Sequence, residues 1–347
     1  MQAIHASPTL VSVAQKPLQI GLIGLGSVAQ VAHIPAWTRL KSEAQLAVAC
    51  DEDKARLHAV TRRFGIPQAV TDFEDVLRDD SIDAVDICAP NHLHAPMAIA
   101  ALRSGKDVLC ERPLARNSRE AESMVKAAEK AGRILMCAMN NRFRSDAQIL
   151  RTFIRKREIG DLFYIKTGWL RRGTTFGWKA ERAISGGGAV LDLGVQMLDL
   201  ALWMAGDREV ATVSAQVHRR HPDAVEDAAV AFLKLKDGSV VMLEVSWSLN
   251  IERDIAYLHA FGTRGAGVLS PLRMLKEMHG SLVNVTPAIE APRNGYKQSY
   301  DREIEHFVAC IRRGETQVSP GEDGLAIMRI ADAIYASAKS GREVALG

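Results

Sequence analysis

The chain has 347 residues, of which 47% are hydrophobic and 24% are charged. This length exceeds what one hydrophobic core usually serves, so we expect two domains, and the composition excludes a disordered or fibrous protein. Lys and Arg number 44 against 41 Asp and Glu, a balance that gives no electrostatic reason to expect a nucleic-acid partner.

Residues 1–17 form an N-terminal arm without the basic start and continuous apolar run of an export signal. No stretch approaches the roughly 20 apolar residues of a membrane span. The five cysteines show no metal-ligand spacing, and most lie in apolar strands, which is typical of core residues in a reducing compartment. These features predict a cytoplasmic protein with no membrane partner.

Residues 18–140 alternate short apolar strands with amphipathic helices, the pattern of a doubly wound α/β domain. The predicted strands are 19–23, 45–50, 84–88, 108–110 and 134–137. The predicted helices are 28–40, 54–64, 96–104 and 118–131, the last capped by Ser118. We therefore predict an α/β Rossmann domain in this part of the chain.

Residues 141–347 follow a different pattern and predict an α+β domain with a largely antiparallel open sheet. Its predicted strands are 162–170, 210–217, 228–235, 240–249 and 255–261, and its predicted helices are 146–157, 188–204, 301–313 and 321–340. The Asp-Gly pair within 236–239 is typical of a tight hairpin. We expect this domain to bind substrate and to mediate oligomerisation.

The segment Gly24-Leu25-Gly26-Ser27-Val28-Ala29 stands between the first predicted strand and the first helix. This GxGxxA arrangement lets the backbone approach a pyrophosphate at a helix N-terminus, although a glycine turn without a ligand is the alternative. Asp51 ends the second strand, where a carboxylate binds ribose hydroxyls and repels a 2′-phosphate. NAD is therefore expected rather than NADP, with Lys54 and Arg56 interpreted as exposed helix residues.

Two further strands end at Pro90 and Pro113, and their ends are expected to face the same crevice, where open α/β sheets bind ligands. With GLGSVAQ, CAPNHLH, GKDVLCERP and SGGGAVLDLGVQMLDLALW in this order, residues 18–347 resemble the Gfo/Idh/MocA family, the glucose-fructose oxidoreductase and inositol dehydrogenase group. The resemblance implies a Rossmann domain that holds NAD(P), a sheet domain that holds a sugar, polyol or related substrate, and a homodimer or homotetramer.

The resemblance also implies roles for individual residues. The implied cofactor-binding residues are Gly24, Gly26, Ser27, Val28, Asp51, Ala89, Pro90, Asn91, His94 and Glu111. The family's aspartate matches Asp192, but Arg112 stands where a lysine is usual and Gln196 where a histidine is usual. The two customary proton-handling side chains are therefore both replaced.

These replacements matter because oxidation of an alcohol needs a base for the hydroxyl proton. Glutamine does not titrate, and arginine stays protonated, so Arg112 can polarise an oxygen but cannot exchange its proton. We hypothesise that Asp192 is the acid/base, Gln196 its hydrogen-bonding orienter and Arg112 the electrophile. The alternative is that Asp192 only pairs with Arg112.

Three other residues are expected to bind substrate. Trp178 and Lys179 lie in the Gly- and Arg-rich loop 171–185, which could close over a ligand, although a lysine there is also typical of a solvated loop. Arg142 follows the last Rossmann strand, where family members often contact substrate. His33, His92, Trp169 and Trp247 are interpreted as packing or helix-start residues.

The leading hypothesis is an NAD(P)-dependent oxidoreductase acting on CH–OH groups, with no metal site. A second possibility keeps the bound NAD but uses transient oxidation to drive elimination or glycoside cleavage. A third is a non-catalytic NAD-binding protein in which Arg112 and Gln196 mark lost activity.

Overall fold

The computed structural model describes residues 16–173, 177–206, 208–221, 224–288 and 294–346. Nearly all of the expected N-terminal arm, 1–17, lies outside the described residues.

The first sheet contains six parallel strands in the order β3-β2-β1-β4-β5-β6. They are β1 (Leu18–Ile23), β2 (Ala44–Cys50), β3 (Gln68–Val70), β4 (Ala84–Ile87), β5 (Asp107–Glu111) and β6 (Leu135–Ala138). This order confirms the predicted Rossmann domain. Strand β3 was not predicted, because three residues with two exposed side chains carry no detectable hydrophobic period.

Five α-helices accompany this sheet: α1 (Ile34–Arg39), α2 (Lys54–Phe64), α3 (Phe73–Arg78), α4 (Asn91–Arg103) and α5 (Ser118–Ala131). A π-helical turn, Ala29–His33, leads into α1. Helix α4 begins before the predicted residue 96 and contains Pro96. The cap of α5 is Asn117 rather than Ser118, because the Asn117 side chain accepts the amide of Glu120.

The second sheet contains nine strands in the order β14-β13-β12-β11-β7-β10-β9-β8-β15. They are β7 (Leu162–Leu170), β8 (Val210–His218), β9 (Ala228–Leu235), β10 (Val240–Ser246), β11 (Ile255–Gly262), β12 (Gly265–Leu269), β13 (Arg273–Met278), β14 (Ser281–Asn284) and β15 (Val344–Ala345). Among the described strands of this second sheet only the pairing of β7 with β10 is parallel, so the largely antiparallel sheet is confirmed. Strands β12 to β15 were not predicted.

The second domain also contains α6 (Ser145–Arg155), α7 (Arg182–Ser185), α8 (Val195–Ala205), α9 (Gly295–Arg313) and α10 (Gly321–Ser340). Short 3-10 helices cover Asn140–Phe143 and Gly177–Ala180, and a π-helical turn, Val190–Gly194, runs directly into α8. The β9–β10 hairpin closes through Gly238 in the left-handed region, as its Asp-Gly pair predicted.

The helical stretch Arg182–Ala205 corrects the expectation about membrane spans. By length and composition its 24 residues would suffice to cross a membrane, with a mean hydropathy of 1.4. However, 89% of its most apolar window is buried inside the protein, the surroundings of a core helix. Its apolar side chains therefore pack against the second sheet and α10.

Long-range contacts join the two domains. Helix α9 packs on α1, helix α10 packs on α5, and a backbone bridge links Met136 to Pro320. One cluster of buried apolar side chains extends through both domains. This packing brings the π-helical turn before α8 to the carboxyl ends of β4 and β5.

Candidate active site

A cavity of about 730 Å³ lies at the carboxyl ends of the Rossmann strands. All ten residues predicted to bind the cofactor line it, and the predicted Arg112, Asp192, Trp178 and Lys179 line its other part. The topology explains this arrangement, because parallel strands end at one edge of the sheet and the second domain covers that edge.

The glycine turn leaves its backbone accessible to a ligand. Gly24 has a φ of +90°, and a Cβ there would lie 2.7 Å from the backbone of Cys88 and Ala89. A Cβ on Gly26 would meet nothing within 4 Å, because it would enter open space at the cavity. The helix that starts at Ser27 adds partial positive charge, so the residues present fit a dinucleotide pyrophosphate.

Asp51 is held by four hydrogen bonds at the end of β2. Its carboxylate accepts the amides of Leu25 at 2.8 Å and Asp53 at 2.9 Å, and the Arg56 guanidinium bonds both of its oxygens, at 2.8 and 2.7 Å. Burial raises the pKa of Asp51, but these donors outweigh it and the net pKa is lowered. Lys54 is exposed as expected, whereas Arg56 is an ion-pair partner that lines the cavity.

Asn91 and His94 fix the positions of neighbouring segments. The Asn91 amide donates to the carbonyl of Ser185 at 2.8 Å, which ties the start of α4 to α7. The two His94 ring nitrogens lie 2.8 Å from the carbonyls of Pro113 and Ala89, so the ring bridges the two strand ends. The crevice predicted between these strand ends is therefore held together by side chains that also line the cavity.

Glu111 ends β5 within a buried polar network. Its carboxylate contacts a His33 ring nitrogen at 3.1 Å and accepts the amide of Arg112 at 2.9 Å and the Tyr300 hydroxyl at 3.3 Å. Burial raises the pKa of Glu111, but the His33 bond and the Arg112 charge lower it overall. His33 also contacts Asp86 at 2.8 Å, so it is a hydrogen-bonded core residue rather than a packing residue alone.

Arg112 reaches across the cavity to the second domain. One of its terminal nitrogens donates to the main-chain carbonyl of Asp192 at 2.8 Å and lies 3.6 Å from the Asp192 carboxylate. Its side chain is 17% exposed, so part of the guanidinium faces the cavity. A fixed positive charge therefore stands where the two domains meet.

Asp192 lies in the π-helical turn, and its carboxylate has two further donors. The Lys179 amine donates to one oxygen at 2.7 Å, and the Trp247 indole donates to the other at 3.0 Å. Burial raises the pKa of Asp192, but the charges of Arg112 and Lys179 outweigh burial and lower it. A carboxylate with a lowered pKa is a weak proton acceptor, so these contacts favour the alternative in which Asp192 serves as a counter-ion.

Trp247 does more than pack, in contrast to the expectation from the sequence, because its indole donates to Asp192. It is 4% exposed and also lines the cavity. A polar partner for a tryptophan cannot be recognised from strand alternation, because Asp192 is 55 residues away in sequence.

Gln196 and Arg142 do not reach the cavity in the part of the chain that the structure describes. The Gln196 amide donates to the main-chain carbonyl of Asp192 at 3.0 Å, and so does not orient the carboxylate. Arg142 is 4% exposed and pairs with Asp199 and Asp323, each at 2.5 Å. The donors of Arg142 are already occupied by these protein groups, which argues against the expected substrate contact and for a buried structural role.

Two family models match the chain in succession. Residues 18–139 match one described as "Oxidoreductase family, NAD-binding Rossmann fold", named GFO_IDH_MocA. Residues 151–346 match the "Oxidoreductase family, C-terminal alpha/beta domain". The first match ends just after β6, and the second begins within α6.

Curated relatives align over nearly the whole chain. D-glucoside 3-dehydrogenase of Escherichia coli (strain K12) is 26% identical and aligns with 96% of this chain and 99% of its own length. D-apiose dehydrogenase of Paraburkholderia graminis is 28% identical over 99% of this chain and 93% of its own. A solved structure, levoglucosan dehydrogenase in complex with NADH and L-sorbose, has a TM-score of 0.88 at 24% identity, covers 96% of this chain and 100% of its own, and shows the same fold.

Proposed function

The chain belongs to the Gfo/Idh/MocA oxidoreductase family, whose N-terminal domain is an NAD-binding Rossmann fold, and from this premise we propose a reaction, a substrate class and roles for its residues. The reaction is hydride transfer between nicotinamide and a CH–OH group of a sugar, polyol or related compound. The observation that carries this proposal is one cavity with the glycine turn at one end and Arg112, Lys179 and Asp192 at the other.

A bound nicotinamide would accept or donate the hydride. The residues proposed to hold the dinucleotide are those that line the cavity around Gly24, Gly26, Asp51 and the ends of β4 and β5. Asp51 supports NAD as the cofactor, with NADP the less favoured one. The remaining steps fall to side chains of the second domain and to Arg112.

Arg112 is proposed as the electrophile. Its permanent charge can stabilise an alkoxide or polarise a carbonyl, and it needs no proton exchange to do so. Asp192 would hold Arg112 and Lys179 in place by accepting hydrogen bonds from both. Gln196 would help to hold the main chain at Asp192, because its side-chain amide donates to the same carbonyl of Asp192 as Arg112 does.

Trp178 and Lys179 are the proposed substrate-binding residues. The wall they form combines aromatic rings with charged donors, which suits a molecule whose apolar C–H faces alternate with hydroxyl groups. The relatives named above act on a glucoside and on apiose, which supports a sugar-like substrate for this chain. Their names give no support to the lyase alternative.

A homo-oligomer is proposed on the outer face of the second sheet. Cross-strand pairing puts Val230 opposite Glu244 and Phe232 opposite Met242, and Met242 opposite Lys166 on the next strand. Val230 and Phe232 are 50% and 44% exposed. An exposed sheet face with apolar side chains beside an acidic and a basic one fits a second copy of the chain.

The five cysteines support a reducing, cytoplasmic setting. All five are buried and none forms a disulfide. The thiols would persist in a reducing compartment, whereas an oxidising one favours disulfides.

The decisive experiment measures NADH formation by the purified protein with methyl glucoside, D-apiose and levoglucosan, each with NAD⁺ or NADP⁺. We expect turnover of at least one sugar together with NADH binding in a fluorescence titration. The variant Gly26→Asp should lose NADH binding yet fold, because its Cβ enters open space and its charge repels a pyrophosphate.

The exposed Ser123→Asp variant is the matched control and should bind NADH normally. NADH binding without turnover of any sugar would favour the non-catalytic alternative. Bond cleavage without net NADH production would favour the lyase alternative.

A further inference from the structure

The site has no proton-exchanging side chain at position 112 or 196, where the family usually has a lysine and a histidine. The structure nevertheless brings the amine of Lys179 into the same cavity. Lys179 lines the cavity, and its nitrogen donates to Asp192 Oδ1 at 2.7 Å. The same oxygen lies 3.6 Å from a terminal nitrogen of Arg112. The amine and the guanidinium therefore share one carboxylate oxygen.

We propose that Lys179 is the acid/base residue of this active site. This proposal rests on the proposed function, because it assigns the proton that accompanies the hydride. It also revises the first hypothesis, in which Asp192 carried the proton and Lys179 only bound substrate.

The surroundings fix Asp192 and thereby position the amine. The second carboxylate oxygen accepts the Trp247 indole at 3.0 Å. The main-chain carbonyl of Asp192 accepts both Arg112, at 2.8 Å, and Gln196, at 3.0 Å. An acceptor held by these donors has little freedom to move, so Lys179 is directed to one point in the cavity.

Lys179 also meets the second requirement of an acid/base residue, which is exchange with solvent. Its side chain is 41% exposed, whereas that of Asp192 is 11% exposed. The lysine lies in the 3-10 helix Gly177–Ala180, with its nitrogen 5.9 Å from the centre of the Trp178 ring. The amine can therefore pass a proton between the substrate and water.

In oxidation, the neutral Lys179 amine takes the hydroxyl proton and becomes an ammonium. The hydroxyl-bearing carbon would lose its hydrogen as hydride to a bound nicotinamide dinucleotide, and the C–O bond would become a carbonyl. In reduction the ammonium returns the proton to the carbonyl oxygen as hydride arrives at carbon. Arg112 stabilises the charge on that oxygen in both directions without changing its own protonation.

The proposal has a definite pH dependence. A general base must be neutral to take the proton in oxidation and a general acid must be protonated to give it in reduction, so kcat/KM for oxidation should rise with pH and kcat/KM for reduction should fall. Other titratable or charged groups facing the same cavity are Arg112, Asp192, Glu111, Cys88, His92, His94 and Tyr296, with Asp51, Glu52 and Arg56 at the cofactor end. The test must therefore separate Lys179 from them.

The test compares Lys179→Ala, Lys179→Arg and the exposed-lysine control Lys156→Ala on the sugar that the wild-type protein oxidises fastest among methyl glucoside, D-apiose and levoglucosan. Both Lys179 variants should lose about 10²- to 10⁴-fold in kcat, the usual contribution of a general acid or base. NADH affinity should stay unchanged. Methylamine or ethylamine should restore activity to Lys179→Ala only, because arginine fills the space and does not titrate.

An independent readout is the pH dependence of acetylation of Lys179, followed by peptide mass spectrometry on the wild-type protein with NADH bound. The midpoint of labelling should coincide with the midpoint of the kcat/KM profile for reduction, which reports the same NADH-bound form of the enzyme.

Retained activity and an unchanged pH profile in Lys179→Arg would overturn the proposal, since a counter-ion role needs only the charge. Loss of the pH dependence in Tyr296→Phe or His92→Gln, with Lys179→Ala unaffected, would also overturn it. If the wild-type protein binds NADH but oxidises no sugar, the proposed function itself fails and this proposal fails with it. If the wild-type protein is active and Lys179→Ala equals it, this proposal alone fails.

Discussion

At the scale of single residues, the site depends on ion pairs between its own charged side chains. Arg112 and Lys179 both contact Asp192, and Arg56 bonds both oxygens of Asp51. In each case the cation helps to keep a partly buried carboxylate ionised: its hydrogen bonds and charge, joined at Asp51 by two backbone amides, lower the pKa of the carboxylate against the effect of burial. Each pair therefore sets the local charge that a ligand meets on entering the cavity.

The Asp51–Arg56 pair leads to a prediction about cofactor choice. Arg56→Ala should leave Asp51 free to accept hydrogen bonds from ribose hydroxyls. It should also remove the guanidinium of this pair, the group that could bind a 2′-phosphate. We expect NADPH binding to weaken by about tenfold, the order of one charged hydrogen bond, with NADH binding kept or improved. Fluorescence titrations with both cofactors measure the ratio.

Arg56→Lys retains the charge and should keep part of the NADPH affinity. The exposed neighbour Lys54 gives the matched control, Lys54→Ala. Equal weakening of both cofactors in Arg56→Ala would contradict the prediction.

At the scale of elements, the π-helical turn before α8 presents Asp192, and a buried carboxylate holds its start. Glu226 is fully buried, and one of its oxygens accepts the amides of Gly188 and Val190 at 2.8 and 3.0 Å and the Tyr335 hydroxyl at 2.8 Å. A Cβ at Gly188 would lie 2.0 Å from the Glu226 carbonyl, so only glycine fits there. The glycine run therefore lets this helix start close against the second sheet.

Glu226→Ala should destabilise the protein by about 2 kcal/mol, because it removes an acceptor from two amides at a helix N-terminus. This corresponds to a fall in Tm of roughly 4–8 °C for a domain of this size, measured by thermal unfolding. Glu226→Gln keeps an acceptor oxygen and should lose less. A Tm unchanged in Glu226→Ala would show that the helix start is held by other contacts.

At the scale of the whole molecule, the two domains form one packed unit around the cavity, while the second sheet leaves its outer face open. The opposite face of that sheet packs on α8 and α10 through residues such as Val213, Leu233 and Val241. Strand alternation then requires the neighbouring side chains, Val230 and Phe232 among them, to face outward. Such a face is suited to pairing with a second copy.

Phe232→Glu should therefore shift the protein toward monomers in multi-angle light scattering at micromolar concentration, because it puts a charge into an apolar contact. Phe163→Glu is the matched control, since Phe163 is 51% exposed but alternates to the other face of β7. A monomeric wild-type protein, or an unchanged oligomer in Phe232→Glu, would rule out this interface.

The sequence by itself determined five of the six Rossmann strands, the glycine turn, the hairpin of the second sheet and the family resemblance. These features depend on residues close together in the chain, where apolar periodicity, glycines and prolines act locally. Strands β3 and β12 to β15 escaped prediction because they are short or lack a clear alternation, and their pairing partners stabilise them.

Only the tertiary structure decided which charged groups meet. Arg142 and Lys179 are both basic residues in connecting segments, yet Arg142 is buried against Asp199 and Asp323 while Lys179 faces the cavity beside Asp192. Burial and pairing depend on contacts between distant segments, which no local pattern encodes. The sequence thus identified the two positions, Arg112 and Gln196, at which the usual lysine and histidine are replaced. The fold brought to the site the Lys179 amine that we propose in their place.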